Sequence, residues 1–79
     1  MSGYYLFSTA GCHLCEQAER LLEQSAIADA YQKKDIADTP EWLERYGIRI
    51  PVLYHLSSGQ ELSWPFDEST LQRFIAEHP

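Results

Sequence analysis

The 79 residues read as one α/β domain, residues 1–79, with elements in the order β-α-β-α-β-β-α and a four-stranded mixed sheet flanked by helices. Three observations predict this. The aromatic run "YYLFS", Tyr4 to Ser8, is short and ends at the breaker "TAG". Two segments, one from Cys12 and one from Asp67, place apolar residues at helical spacing. Between them, "PVLYHLSSGQELSW" sets turn residues between two apolar runs, the pattern of a hairpin.

The elements follow in chain order. "YYLFS" is apolar nearly throughout and reads as a strand buried on both faces. From Cys12 the apolar positions are Leu14, Cys15, Ala18, Leu21 and Leu22, with Glu16, Glu19, Arg20 and Glu23 opposite them. Glu16 and Arg20 have the favourable i,i+4 orientation, and the helix fades near Ser25. Asp29 to Ile36 is a weak, polar strand whose Lys33 and Lys34 suit a sheet edge, where bare backbone needs protection. In "DTPEWLERYG", Thr39 can cap a helix, Pro40 fits its first turn, and Gly47 fits just past its end. Trp42, Leu43 and Tyr46 share one face of it. Pro51 to Leu56 and Glu61 to Trp64 form the hairpin strands. In the last helix, Asp67 is the cap, Phe66 and Leu71 are spaced as a hydrophobic staple, and Leu71, Phe74 and Ile75 form the buried stripe. The first two strands are joined by a helical crossover and should be parallel and right-handed.

Composition excludes several functions. The formal net charge is −6, and the six Lys and Arg residues form no block, so no nucleic-acid partner is expected. No apolar run approaches the roughly 18 residues of a membrane span, and no leader pattern opens the chain. The expectation is a cytoplasmic monomer with no membrane partner. A reducing cytosol disfavours a permanent structural disulfide. The only two cysteines, Cys12 and Cys15 in "GCHLC", therefore point to redox or metal chemistry.

The residues also carry a family resemblance. Cys-x-x-Cys after the first strand, "YGIRIPVLYHLSSGQEL" (Tyr46 to Leu62) and a final helix together resemble the thioredoxin fold. The short length, without an extra N-terminal strand and helix, is closer to the glutaredoxin type. The resemblance covers nearly the whole chain. It implies a thiol–disulfide oxidoreductase acting on protein disulfides or glutathione mixed disulfides. It also implies that Pro51 is cis, faces the cysteines, and leaves the Ile50 backbone free to pair with an extended substrate. A reductase or glutathione would supply electrons. No cofactor is required, with glutathione as a candidate co-substrate. "CHLC" lacks the proline of the usual Cys-Pro-Tyr-Cys and Cys-Gly-Pro-Cys motifs. Glutaredoxins hold glutathione with Gly-Gly-x-Asp before the last helix. Here Trp64 and Pro65 replace both glycines, while Phe66 and Asp67 fit. The usual Lys before the first Cys is replaced by Ser8, Thr9 and Ala10.

The chemistry of the pair follows from its place on a helix. Cys12 sits where unpaired N–H groups and the positive dipole end favour a thiolate. Cys15, one turn further on the apolar side, is the shielded resolver. His13 either adds positive charge beside Cys12 or points into solvent, because neighbouring side chains on a helix diverge. Arg49 either meets a substrate carboxylate or is a solvated loop charge. Asp67 either contacts a substrate amino group or only caps its helix. Trp64 and Phe66 either line a ledge beside Cys12 or belong to the core.

Two rival functions remain. A zinc site needs about four ligands, and the nearby residues are Cys12, Cys15 and His13, with His55 and His78 far along the chain. An iron–sulfur cluster bridged across a dimer would need glutathione. The other rival is a redox-inactive adaptor of the same fold that docks through Ile50 and Trp64.

Overall fold

Strand β1 (Tyr4–Ser8) forms as the aromatic run requires and lies inside the sheet. The computed structural model describes residues 3–78. β1 is flanked by β2 (Tyr31–Asp35) and β3 (Val52–His55), and β4 (Glu61–Ser63) closes the order β2-β1-β3-β4. β1 pairs parallel with β2, Leu6 beside Lys33, and antiparallel with β3, Leu6 beside Leu53. β3 and β4 form the hairpin. The lysine-bearing β2 is an edge strand. It starts at Tyr31, two residues later than the expected Asp29, because residues 25–30 form turns closed by Ala28 N–H to Ser25 O and Ala30 N–H to Ile27 O.

Three helices complete the order: α1 (His13–Glu23), α2 (Pro40–Tyr46) and α3 (Glu68–Glu77). A short 3₁₀ turn, Ile36–Asp38, comes before α2 and was not expected from sequence. It is started by the Asp35 carboxylate, which accepts from Ala37 N–H at 2.9 Å. Thr39 takes the N-cap position of α2 but makes no side-chain cap bond, so its capping role is positional only. Gly47 ends α2 in right-handed geometry. Its glycine identity follows from closeness: a Cβ there would lie 2.5 Å from the Leu43 carbonyl oxygen.

The pleat sorts the core into two layers. Tyr4, Leu6 and Leu53 pack with Ala18 and Leu22 of α1 and with Leu71 and Phe74 of α3. Phe7 and Val52 face the other way, toward Tyr46 and Ile36, with Trp42 packed against them. Phe7 stacks on Tyr46 at 4.4 Å between ring centroids. Phe66 and Leu71, the expected staple, share the first cluster. Two apolar residues depart from expectation. Leu14 is 44% exposed and Leu43 is 55% exposed. Leu14 belongs to the first turn of α1, at the end of the sheet, and the α2 face that packs on it uses Trp42 and Tyr46 instead of Leu43. The expected Glu16–Arg20 pair is not formed. The ion pairs among the described residues are Lys33–Glu19 and Arg49–Glu61. No helix among the described residues is long and apolar enough to cross a membrane.

Candidate functional site

β1 ends at Ser8, and residues 9–11 turn the chain into α1. Gly11 makes that turn at φ 76°, a left-handed conformation that glycine adopts without steric cost. Cys12 then occupies the N-cap of α1 in extended geometry. Its Sγ accepts from the backbone N–H of Cys15 at 3.1 Å. Capping groups are ordinarily oxygens. A sulfur in that place receives the same N–H groups and lies at the positive end of the helix dipole. Cys15 is 2% exposed and Cys12 is half-buried, so the outer sulfur is the reachable one. The two are joined in a disulfide with their Cα atoms 5.2 Å apart. The i,i+3 spacing therefore brings the sulfurs together, as expected from one helix face.

Strand pairing brings other expected site residues to this end of the sheet. Val52 lies opposite Phe7, so Ile50 and Pro51 run past the end of β1, where the loop to Cys12 departs. Val52 also lies opposite Ser63, and the Trp64 N–H donates to the Pro51 carbonyl at 3.1 Å. Pro51 is buried, and the Ile50–Pro51 bond is cis, as the resemblance implied. A second cis bond, Trp64–Pro65, was not foreseen. The Ile50 backbone is only partly free. Its N–H donates to the Tyr46 carbonyl at 3.1 Å.

His13 occupies the first position of α1 and is exposed. Asp67 is the exposed N-cap of α3, and its Oδ1 accepts from the Thr70 N–H at 2.8 Å and the Thr70 hydroxyl at 2.9 Å. These hydrogen bonds from Thr70 hold its carboxyl below the usual range. Trp64 is half-buried and packs edge-on against the buried Phe66 at 5.0 Å. Phe66 is thus core, and Trp64 forms the outer layer over it.

Arg49 fits neither sequence reading. Its guanidinium donates to Glu61 Oε1 at 2.8 Å and to the Ser63 hydroxyl at 3.0 Å. The Tyr46 hydroxyl donates to the other carboxylate oxygen, Glu61 Oε2, at 2.7 Å. Burial pushes the Glu61 carboxyl up, but the hydrogen bonds from Tyr46 and Arg49 and the nearby cations outweigh it and bring it below the usual value. Sequence reasoning missed this cluster. The available signal was the period of two in β4, which puts Glu61 and Ser63 on one face.

A cleft of about 280 Å³ adjoins the loop before Cys12, lined by Ser8, Thr9, Ala10, Lys33, Asp35 and Asp38. Lys33 is 3.3 Å from Glu19. Among the described residues, no group of three or more His, Cys, Asp or Glu side chains is placed to hold a metal ion.

Residues 4–76 match the model of the Glutaredoxin-like domain (DUF836). The chain belongs to this glutaredoxin-like family. The X-ray structure of target protein XcR50 from X. campestris is 38% identical, with a TM-score of 0.86 over 98% of this chain and 100% of that one. The solution structure of XcR50 gives 38% identity and a TM-score of 0.83, covering 98% and 96%. Protein Ne2328 from Nitrosomonas europaea shares the fold at 22% identity and a TM-score of 0.70, covering 92% and 89%. No curated protein matches the chain. In this glutaredoxin-like protein the Cys12–Cys15 pair is consistent with thiol redox activity.

Proposed function

We propose that the protein is a thiol–disulfide oxidoreductase that reduces disulfides in polypeptide substrates. The observation that carries this reading is the seat of Cys12: a half-buried sulfur at the N-cap of α1 that accepts the Cys15 N–H, linked to a buried partner sulfur. In the reduced protein the Cys12 thiolate attacks one sulfur of the substrate disulfide. A mixed disulfide forms and the other substrate sulfur leaves as thiolate. Cys15 then gives up its proton and attacks the Cys12 sulfur. The second substrate thiolate departs, and the Cys12–Cys15 disulfide remains. Two electrons pass to the substrate, and an external dithiol or glutathione restores the pair. Ile50 and Pro51 line the approach, with the Ile50 carbonyl able to accept from a substrate N–H, and Trp64 gives an apolar ledge. Asp67 contributes the helix cap, and His13 stands outside the thiol pair.

Glutathione is the weaker substrate on this reading. Trp64 and Pro65 stand where two glycines would allow close backbone approach. The cleft beside the Cys12 loop presents Asp35 and Asp38 along with a Lys33 that is paired with Glu19, and the two like charges facing an anionic tripeptide disfavour it. The test is turnover of a protein disulfide by the wild-type chain, with glutathione or a flavin-dependent dithiol reductase as donor. The expected result is turnover that the dithiol donor supports better than glutathione. Absence of turnover with either donor contradicts the reading.

A further inference from the structure

We infer that Arg49 and Glu61 form a latch that positions the Ile50–Pro51 segment for substrate. This rests on the proposed oxidoreductase reading and adds specificity-determining residues to it. The connection between α2 and β3, residues 47–51, carries the backbone that would meet an extended substrate. Its backbone hydrogen bonds hold its two ends: the Gly47 N–H donates to the Leu43 carbonyl at 3.0 Å, the Arg49 and Ile50 N–H groups both donate to the Tyr46 carbonyl at 2.8 and 3.1 Å, and the Pro51 carbonyl accepts from the Trp64 N–H at 3.1 Å. Ile48 within it is fully exposed. Between those ends, the Arg49 side chain ties the connection to β4. The Glu61 carboxylate, on β4, takes Arg49 on one oxygen and Tyr46 on the other. Arg49 also reaches Ser63, and its guanidinium lies 5.4 Å from the centre of the Tyr46 ring. One carboxylate therefore ties the end of α2, the connection and β4 together.

Isolated ion pairs on a surface contribute little. This one differs because both carboxylate oxygens and two guanidinium contacts are used, and Tyr46 is buried against Phe7. Charge-assisted bonds of this kind fix geometry as well as adding energy. Arg49 is thereby committed within the chain and does not serve as an anion receptor. Removing it should free the connection while leaving the α1 N-terminus, and with it the Cys12 thiolate, unchanged.

The test compares wild type with Arg49→Met, which keeps the apolar stem, and Glu61→Gln, using a protein disulfide as substrate. The measurements are KM and kcat, the rate of Cys12 alkylation by iodoacetamide, and amide hydrogen exchange at Arg49 and Ile50. The expected result for Arg49→Met is a rise in KM of about tenfold with kcat nearly unchanged, as loss of a charged hydrogen-bonded contact would give. Cys12 alkylation stays at the wild-type rate, and exchange at Arg49 and Ile50 speeds up while Leu6 and Leu53 remain protected. The double variant should lose no more than the worse single variant, because both remove one device. An unchanged KM, unchanged exchange at Ile50, or fully additive losses overturns the latch. If wild type itself turns over no disulfide, the oxidoreductase reading fails, and amide exchange at Arg49 and Ile50 in the single and double variants still decides whether the latch exists.

Discussion

Cys12→Ser should lose activity toward a protein disulfide by about a thousandfold or more, the scale on which removal of a nucleophile acts. A serine hydroxyl caps α1 well, so the fold should survive the change. The substitution removes only the atom that attacks. Cys15→Ser should behave differently. Its Cys12 thiolate still attacks, but nothing resolves the product, and the protein should accumulate as a stable mixed disulfide with its substrate. Mass spectrometry of the reaction mixture separates the two outcomes. An adduct on Cys12 in the Cys15→Ser protein, and none in Cys12→Ser, supports the assigned roles. The reverse pattern would assign attack to Cys15, which its burial at 2% exposure opposes.

Leu53→Ala should be the most damaging core change. Leu53 is fully buried on the inner strand β3, opposite Leu6 on β1 and Leu62 on β4, in the cluster that joins α1 and α3 to the sheet. Truncating a buried leucine costs about 2–5 kcal/mol through lost burial and a residual cavity. A small domain has only about 5–15 kcal/mol in total. The midpoint of thermal unfolding should therefore fall by at least roughly 10 °C. Leu43→Ala, at a position 55% exposed, should stay within about 0.5 kcal/mol of wild type. Thermal melts of the two variants side by side check the contrast. Equal losses would mean that the two core layers are not the ones described.

Local chemistry explains why much of the molecule was legible in its sequence. Tyr4–Ser8 matched residue for residue because its aromatic run and the following breaker mark both ends. The Asp67 cap was readable because a carboxylate three residues before Thr70 has an N–H within reach. The parallel and antiparallel pairings followed from connection lengths. What was not legible depends on partners distant in the chain. Arg49 looks like a loop charge until the hairpin brings Glu61 and Ser63 beside it. Leu14 and Leu43 have the right helical phase for burial, yet both are exposed, and on α2 it is Trp42 and Tyr46 that meet the core. The Ile50 N–H is taken by Tyr46 through a turn that no motif announced. The Trp64–Pro65 bond is cis, an isomer that sequence alone does not favour. In the site itself, the cysteine pair and its helix were visible from spacing, whereas the carboxylates of the adjoining cleft needed the β2 end and the 3₁₀ turn to be placed next to Ser8.

We propose that the seat of Cys12 at the start of α1 makes its thiol acidic. The direct measurement is the rate of iodoacetamide alkylation of Cys12 against pH in the reduced Cys15→Ser protein, which keeps the backbone N–H that the sulfur accepts. A thiol at this N-cap should show a midpoint below about 7.5, against about 8.5 for an unperturbed thiol. A midpoint at the unperturbed value would contradict it.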